Sequence, residues 1–185
     1  MIKRNSILFS LLFAMMLMYG CEPTNPFATG PIYDEEANLA IDRVKIDEYL
    51  KTAEIDSVRR IHDPSGVIII VQEEGVGSRP TGGTVVYTDY TGSLISDGSV
   101  FDTTSEQVAR DNDIYVETAT YEILRFTLGT GQVIQGWDIA YRRLRPGSKA
   151  VLIIPSPYAY RNQKINERIP ENSILRFDID FRGID

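Results

Sequence analysis

The chain has 185 residues, with 26 acidic against 19 basic side chains, one histidine and one cysteine, for a formal charge of −7. That balance argues against nucleic acid as a partner and gives no attraction to anionic lipid. One cysteine permits no intramolecular disulfide, and a lone histidine with no cysteine beside it cannot assemble an ordinary zinc site.

Lys3 and Arg4 precede an apolar run from Ile7 to Tyr19 broken only by Ser10. The run is too short for a comfortable span, so residues 1–20 read as a secretory signal. Gly20-Cys21 at its end resembles the lipobox of bacterial lipoproteins, in which the signal is cut before a cysteine that then carries the lipid. Met18 and Tyr19 are looser than the usual residues there. Lipidation of Cys21 also removes the liability of a free thiol in an oxidising compartment. Loss of residues 1–20 takes away Lys3 and Arg4 but no acid, so the charge moves from −7 to −9.

Residues 21–34 are rich in Pro, Thr, Asn and Gly and read as a flexible tether. Over residues 35–51 Leu39, Ile41, Val44, Ile46, Tyr49 and Leu50 recur at helical spacing. Such a helix packs on the main domain or pairs with a second copy, and packing is the simpler expectation. His62, beside Asp63-Pro64, reads as a solvated loop residue. Val67–Val71 is a continuous apolar run between turn residues and predicts a buried strand, completing an extension over 35–74.

The main domain is expected over 75–185. Thr84–Thr91 reads as a strand, and Asp97-Gly98 bends the chain before Phe101. Residues 103–123 are polar and read as an insertion rather than core. Their Asp111-Asn112-Asp113 lacks the glycine and distal glutamate of a calcium loop. Leu124–Leu128 is a strand. Val133, Trp137, Ala140, Tyr141 and Leu144 then recur at helical spacing before Arg145-Pro146-Gly147. Lys149–Ile154 is a strand, and in the last one Leu175, Phe177, Ile179 and Phe181 alternate with Arg176, Asp178 and Asp180. These elements make an α+β domain.

There is no Gly-x-Ser-x-Gly elbow and no phosphate loop, so hydrolytic chemistry has little support. Taken alone, the single tryptophan is ordinary packing. The set is more specific. Tyr90-Thr91-Gly92, Phe101-Asp102, Phe126–Gly129, Val133-Ile134-Gln135-Gly136-Trp137, Tyr158-Ala159-Tyr160 and Leu175–Asp178, in that order, resemble the FKBP-type peptidyl-prolyl isomerases from about Gly75 onward. The helix-and-strand extension is similar to that of lipoprotein members.

The resemblance implies an antiparallel sheet of about five strands wrapped around one short helix. It implies Trp137 as the floor under a proline ring, Tyr90, Phe101 and Phe177 as walls, and Val133 on one side. The Ile134 amide and the Tyr160 hydroxyl would donate to ligand carbonyls, and Asp102 would orient at the rim. Leu124, Ala159 and Ile169 would line the mouth, with no metal or cofactor. The implied partners are proline-containing segments of exported proteins, with a macrolide as a further ligand. The implied location is a membrane reached through lipid on Cys21, the outer membrane facing the periplasm. Four positions depart from the family pattern. Arg161 stands where glycine is usual, so the loop should turn differently. Leu124 replaces an aromatic, and Arg168 an apolar residue. Gln132 replaces an acid. The rival reading is a non-catalytic peptide-binding module or chaperone.

Overall fold

The computed structural model describes residues 33–185. The signal over 1–20, Cys21 and most of the tether lie outside the described residues. The tether ends at Asp34, which caps helix α1 (Glu35–Thr52): its carboxylate accepts from the Ala37 amide at 2.9 Å.

One antiparallel sheet organises the fold. Its strands are β1 (Arg59–His62), β2 (Ile68–Glu73), β3 (Val85–Leu94), β4 (Val100–Thr103), β5 (Leu124–Thr127), β6 (Lys149–Ile154) and β7 (Leu175–Ile184). The spatial order is β1-β2-β6-β7-β3-β4, with β5 also on β3. Five of the seven strands come from residues 75–185, as expected for that part. The extension adds two, β2 and a short edge strand β1 that its polar Arg-Arg-Ile-His sequence hid. His62 is therefore exposed, but at the end of a strand and not in a loop.

Both faces of the inner strands are covered, which explains why β2 and β6 read as unbroken apolar runs. Val67, Ile69, Val71, Ala150, Leu152 and Ile154 face the larger core around the short helix α3 (Gln135–Tyr141). Ile68, Ile70, Val151 and Ile153 face the other way and close on Ile46 of α1 and on Ile174. The extension helix thus packs on the sheet. Ile41 and Val44, two of the apolar residues that suggested a helix, point outward, at 53% and 68% exposed. Tyr49 ties the last turn of α1 to β7: Arg176 donates to its hydroxyl at 2.8 Å while holding Asp178 at 2.7 and 2.8 Å.

Helix α3 can lie close against β6 because residue 136 is glycine; a Cβ there would sit 2.4 Å from Ile154 Cγ2. The helix begins after Val133 and ends before Leu144, so those two flank it instead of belonging to it. Strands β4 and β5 lie end to end along one edge of β3, which pairs with β5 through Val85–Thr88 and with β4 through Thr91–Ser93. Residues 103–123 bridge them. This segment is not all surface: it forms helix α2 (Glu106–Asp111), whose Ala109 is fully buried, and Thr103 is buried at its start.

Candidate active site

Four elements converge on one end of the sheet. On β3, Val86, Thr88, Tyr90, Gly92 and Leu94 fall on one face by the two-residue period, which brings Tyr90 over α3. Strand β4 carries a bulge: Gly92 opposes Asp102 and Ser93 opposes Val100, leaving Phe101 as the extra residue. In a regular strand, neighbours point to opposite faces. The bulge re-aims them, and Phe101 and Asp102 both line the same cavity. Gly92 makes room, since a Cβ there would lie 2.6 Å from the Phe101 ring and 2.9 Å from that of Phe177.

The result is a cup of about 220 Å³ lined by Tyr90, Phe101, Asp102, Leu124, Gln132, Val133, Ile134, Trp137, Tyr160 and Phe177. Trp137 is 3% exposed and Phe177 4%. Their rings meet edge to face at 5.1 Å, Tyr90 stands on Trp137 at 5.1 Å and 86°, and Phe101 on Phe177 at 5.7 Å and 85°. Edge-to-face pairs of this kind add about 0.5–1.5 kcal/mol each beyond burial, so the walls hold one another up. The Trp137 indole N–H is buried with no partner among the described residues. An unpaired buried donor costs about 1–3 kcal/mol, a burden better explained by a binding surface than by plain core.

Polar groups sit at the rim. Tyr90 donates its hydroxyl to Asp102 Oδ2, and the Thr103 amide donates to Oδ1 at 2.9 Å. Burial, the bond to Asp102 and the charge of Asp102 all push the Tyr90 phenol well above its ordinary range. Burial and Asp102 push that of Tyr160 the same way. Both are therefore neutral donors at neutral pH. Ile134 is the N-cap of α3 in an extended conformation; its carbonyl accepts from the Trp137 amide at 3.0 Å, and the amides of Gln135 and Gly136 have no intrahelical acceptor. Gln132 braces the approach: its Oε1 accepts from the Thr127 amide at 2.7 Å. A larger cavity of about 730 Å³ lies between α1 and residues 170–174, but its walls mix Lys45, Glu48 and Lys51 with loop residues and converge on no reactive group.

The model of the FKBP-type peptidyl-prolyl cis-trans isomerases matches residues 77–182. The chain belongs to that family. Peptidyl-prolyl cis-trans isomerase Fkbp12 of Drosophila melanogaster is 35% identical over 121 residues, 65% of this chain and 99% of that protein. FK506-binding protein 1A of Neurospora crassa is 38% identical over 120 residues, 64% of this chain and 88% of the relative. In structure, FkpA from Escherichia coli is similar over 82% of this chain and 62% of that one, with 27% identity and a TM-score of 0.59.

Within this FKBP-type domain the structure brings Tyr90, Phe101, Asp102, Leu124, Val133, Ile134, Trp137, Tyr160 and Phe177 together. It does not bring Ala159 and Ile169 to the cup wall. Ala159 packs half-buried against the core, and Ile169, 4% exposed, is part of it. Gln132 also lines the cup, although in sequence it stands out only as a departure from the family pattern. Arg161 corrects a second expectation. Its φ of 57° is the left-handed conformation that glycine favours, so the glycine-type turn is kept despite the arginine side chain. The strain is on the order of 1–2 kcal/mol. Arg168 is exposed and reaches across to the insertion, donating to the Asp113 carbonyl at 2.7 Å.

Proposed function

We propose that the chain isomerises X-Pro bonds in segments of exported proteins, and that the cup is where it does so. The observation that carries this is the bulge at Phe101: it turns an aromatic wall and a carboxylate together onto a tryptophan floor. The cavity, about 220 Å³, falls below the ~300 Å³ at which pockets for drug-sized ligands begin. It suits a proline ring better than a whole macrolide, so peptide is the preferred occupant and a macrolide the secondary one.

The mechanism needs neither nucleophile nor metal. Amide resonance holds the X-Pro bond, and uncatalysed isomerisation takes tens to hundreds of seconds. Water stabilises the dipolar planar amide; the twisted transition state has lost that dipole. Transfer into an aromatic cup therefore disfavours the planar form relative to the twisted one. In this reading Trp137 supports the ring, and Tyr90, Phe101, Val133 and Phe177 exclude water. Asp102 orients at the rim, held by the Tyr90 hydroxyl and the Thr103 amide. The Tyr160 hydroxyl and the Ile134 amide hold the flanking carbonyls, and Leu124 closes one side. Asp102 and Tyr160 sit with Trp137 as the catalytic set. Residues 1–20 would direct export, and lipid on Cys21 would anchor the domain in the outer membrane, facing the periplasm.

The test is isomerisation of a short X-Pro peptide by the full-length chain beside Trp137→Ala and Asp102→Ala. Acceleration that falls sharply in folded variants is the expected result. No acceleration by folded wild type leaves a non-catalytic peptide-binding module or chaperone. For the anchor, Cys21→Ser should release the protein from the membrane fraction and abolish lipid labelling; retention of both sinks it.

A further inference from the structure

The first half of α1 lies against the 3-10 turn Ser156–Tyr158, which leads directly into Ala159 and Tyr160. Asp42, mid-helix and 2% exposed, puts one carboxylate oxygen on Ser156. That oxygen accepts the Ser156 amide at 2.7 Å and its hydroxyl at 2.6 Å. Other contacts repeat the pattern. The Tyr33 hydroxyl lies 3.4 Å from Ser156 Oγ, and Glu35 lies 3.7 Å from the Arg161 guanidinium. The segment is closed on itself as well: the Arg161 amide donates to the Ser156 carbonyl at 2.9 Å, and the Asn172 amide to the Arg161 carbonyl at 2.7 Å. Ser156 is thus the fixed point of the turn that carries both the left-handed Arg161 and the Tyr160 hydroxyl.

A carboxylate is a poor choice for packing alone. Burying a charge is costly, and a well-packed apolar residue often replaces a buried ion without loss. What a carboxylate supplies is a fixed acceptor, and both of its bonds go to one serine, four residues before Tyr160.

We infer that Asp42 is a positioning residue for the isomerase: through Ser156 it fixes the turn that presents Tyr160, so the extension helix sets the geometry of the cup. The inference rests on the role proposed for Tyr160. It makes the extension a working part of the enzyme as well as a spacer, and it accounts for an arginine tolerated in a strained conformation next to the site.

The test uses the full-length chain with Asp42→Ala and Asp42→Asn, each alone and combined with Tyr160→Phe. Asp42→Ala should lower kcat/KM on the order of tenfold, as a displaced contact group does. Asp42→Asn keeps an oxygen for both Ser156 donors and should retain most of the rate. In the Tyr160→Phe background, Asp42→Ala should have little further effect. Additive losses, or a lowered urea midpoint with unchanged kcat/KM, would show a structural role and overturn the inference. Hydrogen exchange reads the clamp without reference to catalysis. In Asp42→Ala, amides of 156–161 should exchange faster while those of β3 and α3 keep their protection. Unchanged exchange over 156–161 also overturns it. A wild type that orders this turn through Asp42 yet isomerises nothing would refute the proposed function and not the clamp. Should Asp42→Ala fail to fold, Ser156→Ala, which removes one of the two bonds, takes its place with a smaller expected loss.

Discussion

Strands β2 and β6 belong to two cores at once, and the two differ in kind. The side under α1 is aliphatic: Ile46, Ile68, Ile70, Val151, Ile153 and Ile174 close on one another, and the cavity at its margin, beside Tyr49 and Ile174, is walled by Lys45, Glu48 and Lys51 with loop residues and by no set of converging rings. The side under α3 adds Tyr90, Phe101, Phe126, Trp137, Tyr141, Phe177 and Phe181, and it stays open where β3 meets β4. Branched aliphatic chains settle into the space left by their neighbours. Rigid rings that stand edge to face prop one another apart, and the gap they leave has a fixed shape. One sheet therefore seals with isoleucine on one face and makes a binding surface with aromatics on the other.

Trp137→Ala tests the aromatic side most severely. It removes the ring that contacts Tyr90, Phe126, Tyr141 and Phe177. The expected loss is about 3–5 kcal/mol in urea unfolding together with X-Pro isomerisation. Ile70→Ala is the matched change on the sealed side, where Ile70 is fully buried. It should cost about 2–5 kcal/mol, with kcat/KM of the folded protein little changed. A loss of activity in Ile70→Ala at full folding would show that the two faces are not separable.

Gly92→Ala asks whether the cup depends on its spacing or only on its residue types. A methyl there would enter the Phe101 and Phe177 rings, so one of them must swing away. We expect about 1–3 kcal/mol of overpacking strain and an isomerisation defect larger than that loss of stability explains. Unchanged activity would mean that the exact disposition of the walls matters little.

The aromatic side was also the more legible in sequence. Its residues fall into short local motifs, and the strand and helix periods point Tyr90, Trp137 and Phe177 to one place. The sealed side was legible as apolar runs, but period alone could not say what covered them. Ile41 and Val44 have helical spacing yet face water, while Asp42 between them is buried. A carboxylate at a buried helix position carries no sequence signal, because its reason is a serine 114 residues away. Strand β1 was missed for a related reason: an edge strand pairs on one side only and needs few apolar residues. Position in a motif suggests Ala159 and Ile169 for the mouth, but a loop has no period to say where a side chain points, and neither residue is among those that line the cup.

The smallest effect follows from pH. Tyr141 is fully buried beneath the cup and donates to Thr88 Oγ1 at 2.7 Å; burial raises its phenol well above the ordinary 10.0. Tyr90 is shifted in the same direction by burial and by Asp102. A folded-state value above the unfolded one gives stability that is fully present below about pH 10 and lost as pH rises beyond it, because only the unfolded chain can release the proton. At about one pH unit above the ordinary value the loss from Tyr141 is about 1.4 kcal/mol. Urea midpoints from pH 8 to 11 should therefore fall in wild type and fall less steeply in Tyr141→Phe, which starts lower at neutral pH because Thr88 Oγ1 has lost the hydroxyl that donates to it. If Tyr141→Phe shows the wild-type slope, the alkaline loss arises elsewhere. The floor of the cup would then be no drier than the rest of the molecule, and the desolvation on which the proposed mechanism relies would have lost its physical basis.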